Sequence, residues 1–164
     1  MRPQAVVTGA SSGIGAAFAL ALARCGYDLV LVARRYDRLR ALGDELANLY
    51  GVSAEVRPTD LAAAADVEAL AQLVALRRPA ILVNAAGFGT FGPLAASDPA
   101  TQHDIVMVLL AAPLRLTGAS VPAVRTNAGW ANGRHSRWCA RRATPASPSR
   151  SGGASGWPRH AVTR

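Results

Sequence analysis

Lysine is absent from this 164-residue chain, and all 18 basic residues are arginine. Cysteine is scarce. Cys25 and Cys139 form neither a disulfide framework nor a metal-ligand spacing, so the expectation is a reducing, cytoplasmic setting. Long uncharged apolar runs are also missing. Those at residues 13–23 and 105–114 fall short of the roughly 20 residues that cross a bilayer, so no membrane partner is expected. Residues 1–4 lead directly into Ala5-Val6-Val7, leaving no room for a secretory apolar region and cleavage site. Acidic residues stop at Asp104: residues 1–104 carry 9 Arg against 10 acids, net −1, while residues 105–164 carry 9 Arg and no acid, net +9. Wholesale disorder is excluded, because 51% of the chain is hydrophobic and its length suits one domain.

The first two-thirds alternates short apolar runs with longer periodic stretches. Residues 4–8, 28–33, 53–58 and 80–84 read as strands, each a near-continuous apolar run cut by turn residues. Between them, residues 13–26, 36–50 and 64–76 read as helices. In the first of these, Ile14, Phe18 and Leu22 recur at helical spacing and mark the face expected to be buried, with Gly26 closing the helix. Ser97-Asp98-Pro99 supplies an N-cap and a first-turn proline for a fourth helix over residues 100–117. Its crowded apolar residues, Ile105, Val106, Val108, Leu109 and Leu110, call for partners on more than one side. Apolar strands alternating with amphipathic helices predict an α/β fold with a doubly wound parallel sheet covered on both faces.

The chemistry lies in the first strand–helix turn, Thr8-Gly9-Ala10-Ser11-Ser12-Gly13-Ile14-Gly15. Glycines at this spacing let the backbone turn tightly and bring its amides against a pyrophosphate, with the positive end of the helix behind it. A glycine-rich turn that binds nothing would show the same three glycines. A second motif, Asn84-Ala85-Ala86-Gly87, ends the fourth strand, and Asp60-Leu61 follows the third.

Together these three motifs resemble those of the short-chain dehydrogenase/reductase family over residues 3–117. The resemblance implies a Rossmann-like sheet and hydride transfer between a nicotinamide dinucleotide and a small-molecule carbonyl or secondary alcohol. Family members are commonly homo-oligomers. It further implies that Gly9, Gly13 and Gly15 admit the pyrophosphate and that Ser11, Ser12 and Ile14 line it. Asp60 would hold the adenine, and Asn84, Ala85 and Gly87 would border the ribose and nicotinamide.

Cofactor choice follows from charge at the end of the second strand. An acid there accepts the ribose 2′-hydroxyl of NAD, whereas an arginine accommodates the 2′-phosphate of NADP. Arg34 and Arg35 occupy that place, so NADP is expected rather than NAD. Two solvated arginines at a helix start are the plainer alternative, although the helix dipole disfavours cations there.

The sequence also departs from the family. Family members place a Tyr-x3-Lys pair beyond the fourth helix, where the lysine lowers the tyrosine pKa for proton transfer. Here lysine is absent, and Tyr27, Tyr36 and Tyr50 all precede the fourth strand. Alignment on Ala112-Pro113 puts Leu109 where the family has an asparagine of its proton relay. No catalytic residue is therefore assigned, and the fold is expected to be incomplete after the fourth helix. Residues 1–121 form the expected dinucleotide-binding domain and residues 122–164 a tail.

From residue 123 onward the only aliphatics larger than alanine are Val124 and Val162, among eight Arg and all three Trp. Such a segment cannot offset its conformational entropy by burial. Three readings compete for it. The favoured one is loss of the reading frame near Val121-Pro122, since Ala, Arg, Gly and Pro are what GC-rich codons yield out of register. The second is a basic arm whose Arg and Trp stack on single-stranded nucleic acid. The third is a degenerate family member kept as a non-catalytic NADP-binding module. Cys25 reads as core packing and His103 as a solvated helix residue. Cys139, His135 and His160 share the tail without metal spacing.

Overall fold

The computed structural model describes residues 2–126. The expectations for residues 127–164, including the frame-loss and nucleic-acid readings, lie outside the described residues.

Four strands, β1 (Gln4–Thr8), β2 (Asp28–Ala33), β3 (Ala54–Pro58) and β4 (Ile81–Asn84), form one sheet in the order β3-β2-β1-β4. Every pairing is parallel. Successive side chains point to opposite faces, and both faces are covered, which is why the strands are apolar throughout rather than alternating. Ala5, Val7, Leu29 and Leu31 face α1 (Gly13–Arg24) and α2 (Tyr36–Tyr50). Val6, Val30 and Val32 face the opposite layer, where α3 (Ala64–Arg77) contributes Val67, Leu70 and Val74. The doubly wound α/β arrangement expected from the sequence is present.

One face expected to be buried is not. In α1 the side chains against the sheet are Gly15, Ala19 and Ala23, while Ile14 is 71% and Phe18 48% exposed. The reason is distance. A Cβ on Gly15 would stand 2.3 Å from the Gly9 carbonyl oxygen, so this helix approaches its own preceding turn too closely for large residues. Hydrophobic periodicity selected the larger set of residues, and close packing selected the smaller one. At the other end of α1, Gly26 N–H donates to Ala23 O and Tyr27 N–H to Leu22 O, the bonding pattern of a Schellman stop.

The fourth helix is longer than its sequence signals. Asp98 caps α4 (Pro99–Val106) by accepting from the amides of Ala100 and Thr101. A π-helical turn (Met107–Ala111) then leads into α5 (Ala112–Thr126). The expected end at Thr117 is passed, and the helix continues through Gly118 and Pro122 despite their breaker character. Val108, Ala112, Leu116 and Ser120 form a buried stripe at four-residue spacing, which keeps this stretch helical against α3. Arg115 adds a 2.8 Å ion pair to Glu68 of α3. The stretch Pro99–Val121 is, by length and composition alone, apolar enough to cross a membrane, and little of its most apolar part, 22%, is buried. Its continuity across the π turn makes it longer than the uncharged runs seen in the sequence. Val106, Leu109, Leu110 and Leu114 remain exposed on its outer side.

Candidate functional site

The parallel register brings the C-terminal ends of β1, β2 and β4 level, with Thr8 opposite both Val32 and Asn84. Thr8 then ties two of these ends together. Its buried hydroxyl donates to Val83 O at 3.3 Å and accepts from the amides of Ala85 (3.1 Å) and Ala86 (3.3 Å). One proton and two lone pairs are all used, so the β1 and β4 turns are held as a unit.

Gly9 sits where these turns meet. It has φ +68°, and a Cβ there would come within 2.7 Å of the Ala86 backbone. Gly13 also has positive φ, +57°, but a Cβ there would find no described atom within 4 Å. Thus Gly9 and Gly15 permit close packing beneath the turn, while Gly13 borders open space at the start of α1. No acidic residue occupies the first turn of that helix, and the Ser12 hydroxyl does not cap it. The unpaired first-turn amides and the positive end of the helix dipole are therefore available to an anion.

A cleft of about 530 Å³ opens over these strand ends. Ten of the twelve residues singled out in the sequence line it: Gly9, Ser11, Ser12, Gly13, Ile14, Arg34, Arg35, Asp60, Ala85 and Gly87. Gly15 lies beneath the turn instead. Asn84 does not line the cleft, and its side-chain amide donates to Thr117 Oγ1 at 3.2 Å, joining β4 to α5. Ala33, Thr59, Leu61, Ala86, Phe88 and Val108 complete the wall; Leu61 and Ala86 lie within the motifs read from the sequence, whereas Thr59, Phe88 and Val108 were not expected there. Phe88 had a signal, since it directly follows the Asn84–Gly87 motif. Val108 had none, because it arrives from a distant helix.

The two arginines after β2 diverge. Arg35 donates to Ser11 Oγ at 3.0 Å and to Ser12 Oγ at 2.8 Å, across to the β1–α1 turn. Arg34 reaches the other way and lies over the Phe88 ring, 5.9 Å from its centroid. Neither forms an ion pair with an acid among the described residues. After β3, Asp60 is held in a tight turn: its carboxylate accepts from Ala62 N–H at 3.0 Å, and its own amide donates to Asp66.

Arg34, Arg35 and Asp60 are the charged residues of the lining, which contains no His, Cys, Tyr or Lys. The site can hold an anionic, elongated ligand. Its wall carries no group suited to proton transfer near neutral pH. His103 is exposed on α4, and Cys25 packs against the α1 side of the core, both away from the cleft. Leu109 lies in the π-helical turn with its Cδ2 2.8 Å from where a Gly87 Cβ would stand. A side chain at position 87 would therefore have to displace the end of the Leu109 side chain, which is half exposed.

Comparison with known proteins adds family and scale. A family model described as short chain dehydrogenase matches residues 3–131. A very-long-chain 3-oxoacyl-CoA reductase of Aspergillus terreus is 39% identical over 123 residues, 72% of this chain and 35% of that protein. A short-chain dehydrogenase from Sphingobium yanoikuyae, solved with NADPH, superposes with a TM-score of 0.71 at 38% identity, covering 73% of this chain and 47% of that one. L-Sorbose reductase from Gluconobacter frateurii, solved with NADPH and L-sorbose, gives 0.70 at 34% identity, covering 76% and 48%. The chain thus spans about a third of the first of these proteins and about half of the other two.

Proposed function

The chain belongs to the short-chain dehydrogenase family of oxidoreductases, and from that membership we propose that its cleft binds NADP(H) in preference to NAD(H). The observation that carries this reading is the pair of guanidiniums, Arg34 and Arg35, without acidic partners at the end of β2 beside the start of α1. A 2′-phosphate offers a dianion to them, whereas the ribose hydroxyl of NAD offers none.

The residues present suit a dinucleotide. Gly9 and Gly15 keep the β1–α1 turn low, and the space beside Gly13 admits a ligand to the first-turn amides of α1. In this reading Ser11, Ser12 and Ile14 flank the pyrophosphate, Asp60 takes the adenine side, and Ala85 with Gly87 lies along the ribose and nicotinamide half. When bound, NADPH supplies a hydride for a carbonyl carbon. The protein's own part is to bind and orient the dinucleotide, because among the described residues the wall holds no acid–base group suited to neutral pH and the 164 residues include no lysine. We infer that carbonyl or alcohol turnover, with a small-molecule substrate, is the activity of the family rather than of this chain acting alone.

Equilibrium binding of NADP⁺ and NAD⁺ to the 164-residue protein tests the assignment. NADP⁺ is expected to bind more tightly, and Arg34→Asp is expected to reverse the order. Equal affinities in the unmutated protein would overturn it, whatever the variant did.

A further inference from the structure

The proposal rests on the NADP reading above and extends it to a residue on the opposite wall of the cleft. Among the described residues Phe88 is the aromatic side chain of the lining. Its half-buried ring packs against the core cluster on the α3 side of the sheet, which anchors it more firmly than a solvated side chain. Among the described residues Arg34 has no acid to hold it, and its neighbour Arg35 is drawn away to the serine hydroxyls. Without a support, an exposed arginine side chain would sample many rotamers, and ordering it on binding would cost affinity.

We propose that Phe88 is a positioning residue for cofactor specificity: its ring supports the Arg34 guanidinium over the cleft and thereby favours dinucleotides carrying a 2′-phosphate. The geometry is suited to this. The guanidinium is 5.9 Å from the ring centroid, within the range of a cation–π contact. An aromatic ring attracts the guanidinium without taking a carboxylate's place at its N–H edge, which stays free for a phosphate. A carboxylate support would satisfy those N–H groups and neutralise the charge, whereas an aromatic ring does neither. The contact also spans the cleft from the β2 end to the β4 end, so recognition at β2 depends on a residue 54 positions later.

The test measures NADP⁺ and NAD⁺ affinities for the full chain and for Phe88→Leu, Phe88→Trp, Arg34→Met and the Arg34→Met/Phe88→Leu double variant. Phe88→Leu is expected to lower the ratio of NADP⁺ to NAD⁺ affinity about two- to fivefold, the scale of an exposed cation–π contact. Phe88→Trp should restore or exceed the original NADP⁺ affinity, and Phe88→Leu should have no further effect once Arg34 is methionine. A cooperative thermal melt of each variant shows that it folds. Equal losses for both cofactors, a gain of NADP⁺ affinity in Phe88→Leu, or an effect that persists without Arg34 would overturn the role of Phe88. If the unmutated protein prefers NADP⁺ but Phe88→Leu changes nothing, only this inference fails. If the unmutated protein shows no preference, the cofactor reading fails with it.

Discussion

A methyl group at Gly9 and a methyl group at Gly13 would meet different surroundings although both residues have positive φ. At Gly9 the new Cβ would lie 2.7 Å from the Ala85 oxygen and the Ala86 backbone, atoms that Thr8 holds in place. The conformational penalty of about 1–2 kcal/mol then adds to overpacking of about 1–3 kcal/mol, so Gly9→Ala should cost roughly 2–5 kcal/mol. Gly13→Ala meets no described atom within 4 Å and should cost only about 1–2 kcal/mol. Its methyl would, however, stand in the cleft. Urea denaturation and cofactor titration together check the pair. Gly9→Ala should lose stability, and Gly13→Ala should stay folded but bind the dinucleotide more weakly.

Among elements, α4 depends most visibly on one side chain. Asp98 accepts from the Thr101 hydroxyl at 2.8 Å and from the amides of Thr101 and Ala100, and these bonds hold its carboxyl below the ordinary aspartate range. A folded-state pKa below the unfolded value means that the cap contributes fully above the unfolded pKa, near 4, and is lost as pH falls through the folded value. Glu68, lowered chiefly by its hydrogen bonds from Arg115, loses its tie between α3 and α5 in the same acidic window. Asp98→Ala should therefore lower the melting temperature near neutral pH, with the gap to the unmutated protein narrowing on acidification. Thermal melts followed by circular dichroism from about pH 7 to pH 2 would show this, and a gap independent of pH would count against the charged cap.

At the scale of the whole molecule, the described sheet stops at β4. Ile81, Leu82 and Val83 are only half-buried there, while Ala5, Val6 and Val7 of β1 and Leu29 to Val32 of β2 are sealed. The outer side of the α4–α5 stretch adds Val106, Leu109, Leu110 and Leu114, four large apolar side chains each more than half exposed. Contiguous apolar surface beside an open strand edge favours association. Sedimentation velocity on the purified protein is expected to show concentration-dependent association, reduced by Leu110→Glu with Leu114→Glu. The same preparation should not oxidise NADPH with carbonyl substrates above the background rate. A missing general acid alone removes about 10²–10⁴-fold of rate. A monodisperse protein that sustains turnover would contradict both expectations.

Much of this was written locally. The four strands, the first three helices and their boundaries follow from runs of three to fifteen residues and their flanking turn signals, which local sterics and hydrophobic periodicity control. The binding motif is equally local, because positive φ and helix N-terminal amides are properties of a few consecutive residues. What tertiary structure decided were choices between equally plausible local answers. It buried Gly15, Ala19 and Ala23 of α1 and left Ile14 and Phe18 exposed, with Leu22 partly buried against the core, since the nearness of Gly9 limits side-chain size at the start of the helix. It carried α5 past Gly118 because Ser120 and the residues before it have a seat against α3. It sent Arg34 and Arg35, adjacent in the chain, to opposite walls, and it turned the Asn84 side chain to Thr117 of α5 rather than to the cleft. Each of these depends on how closely groups many residues apart approach one another. Packing distance has no counterpart in local propensity, which is why these features became visible only when the chain was folded.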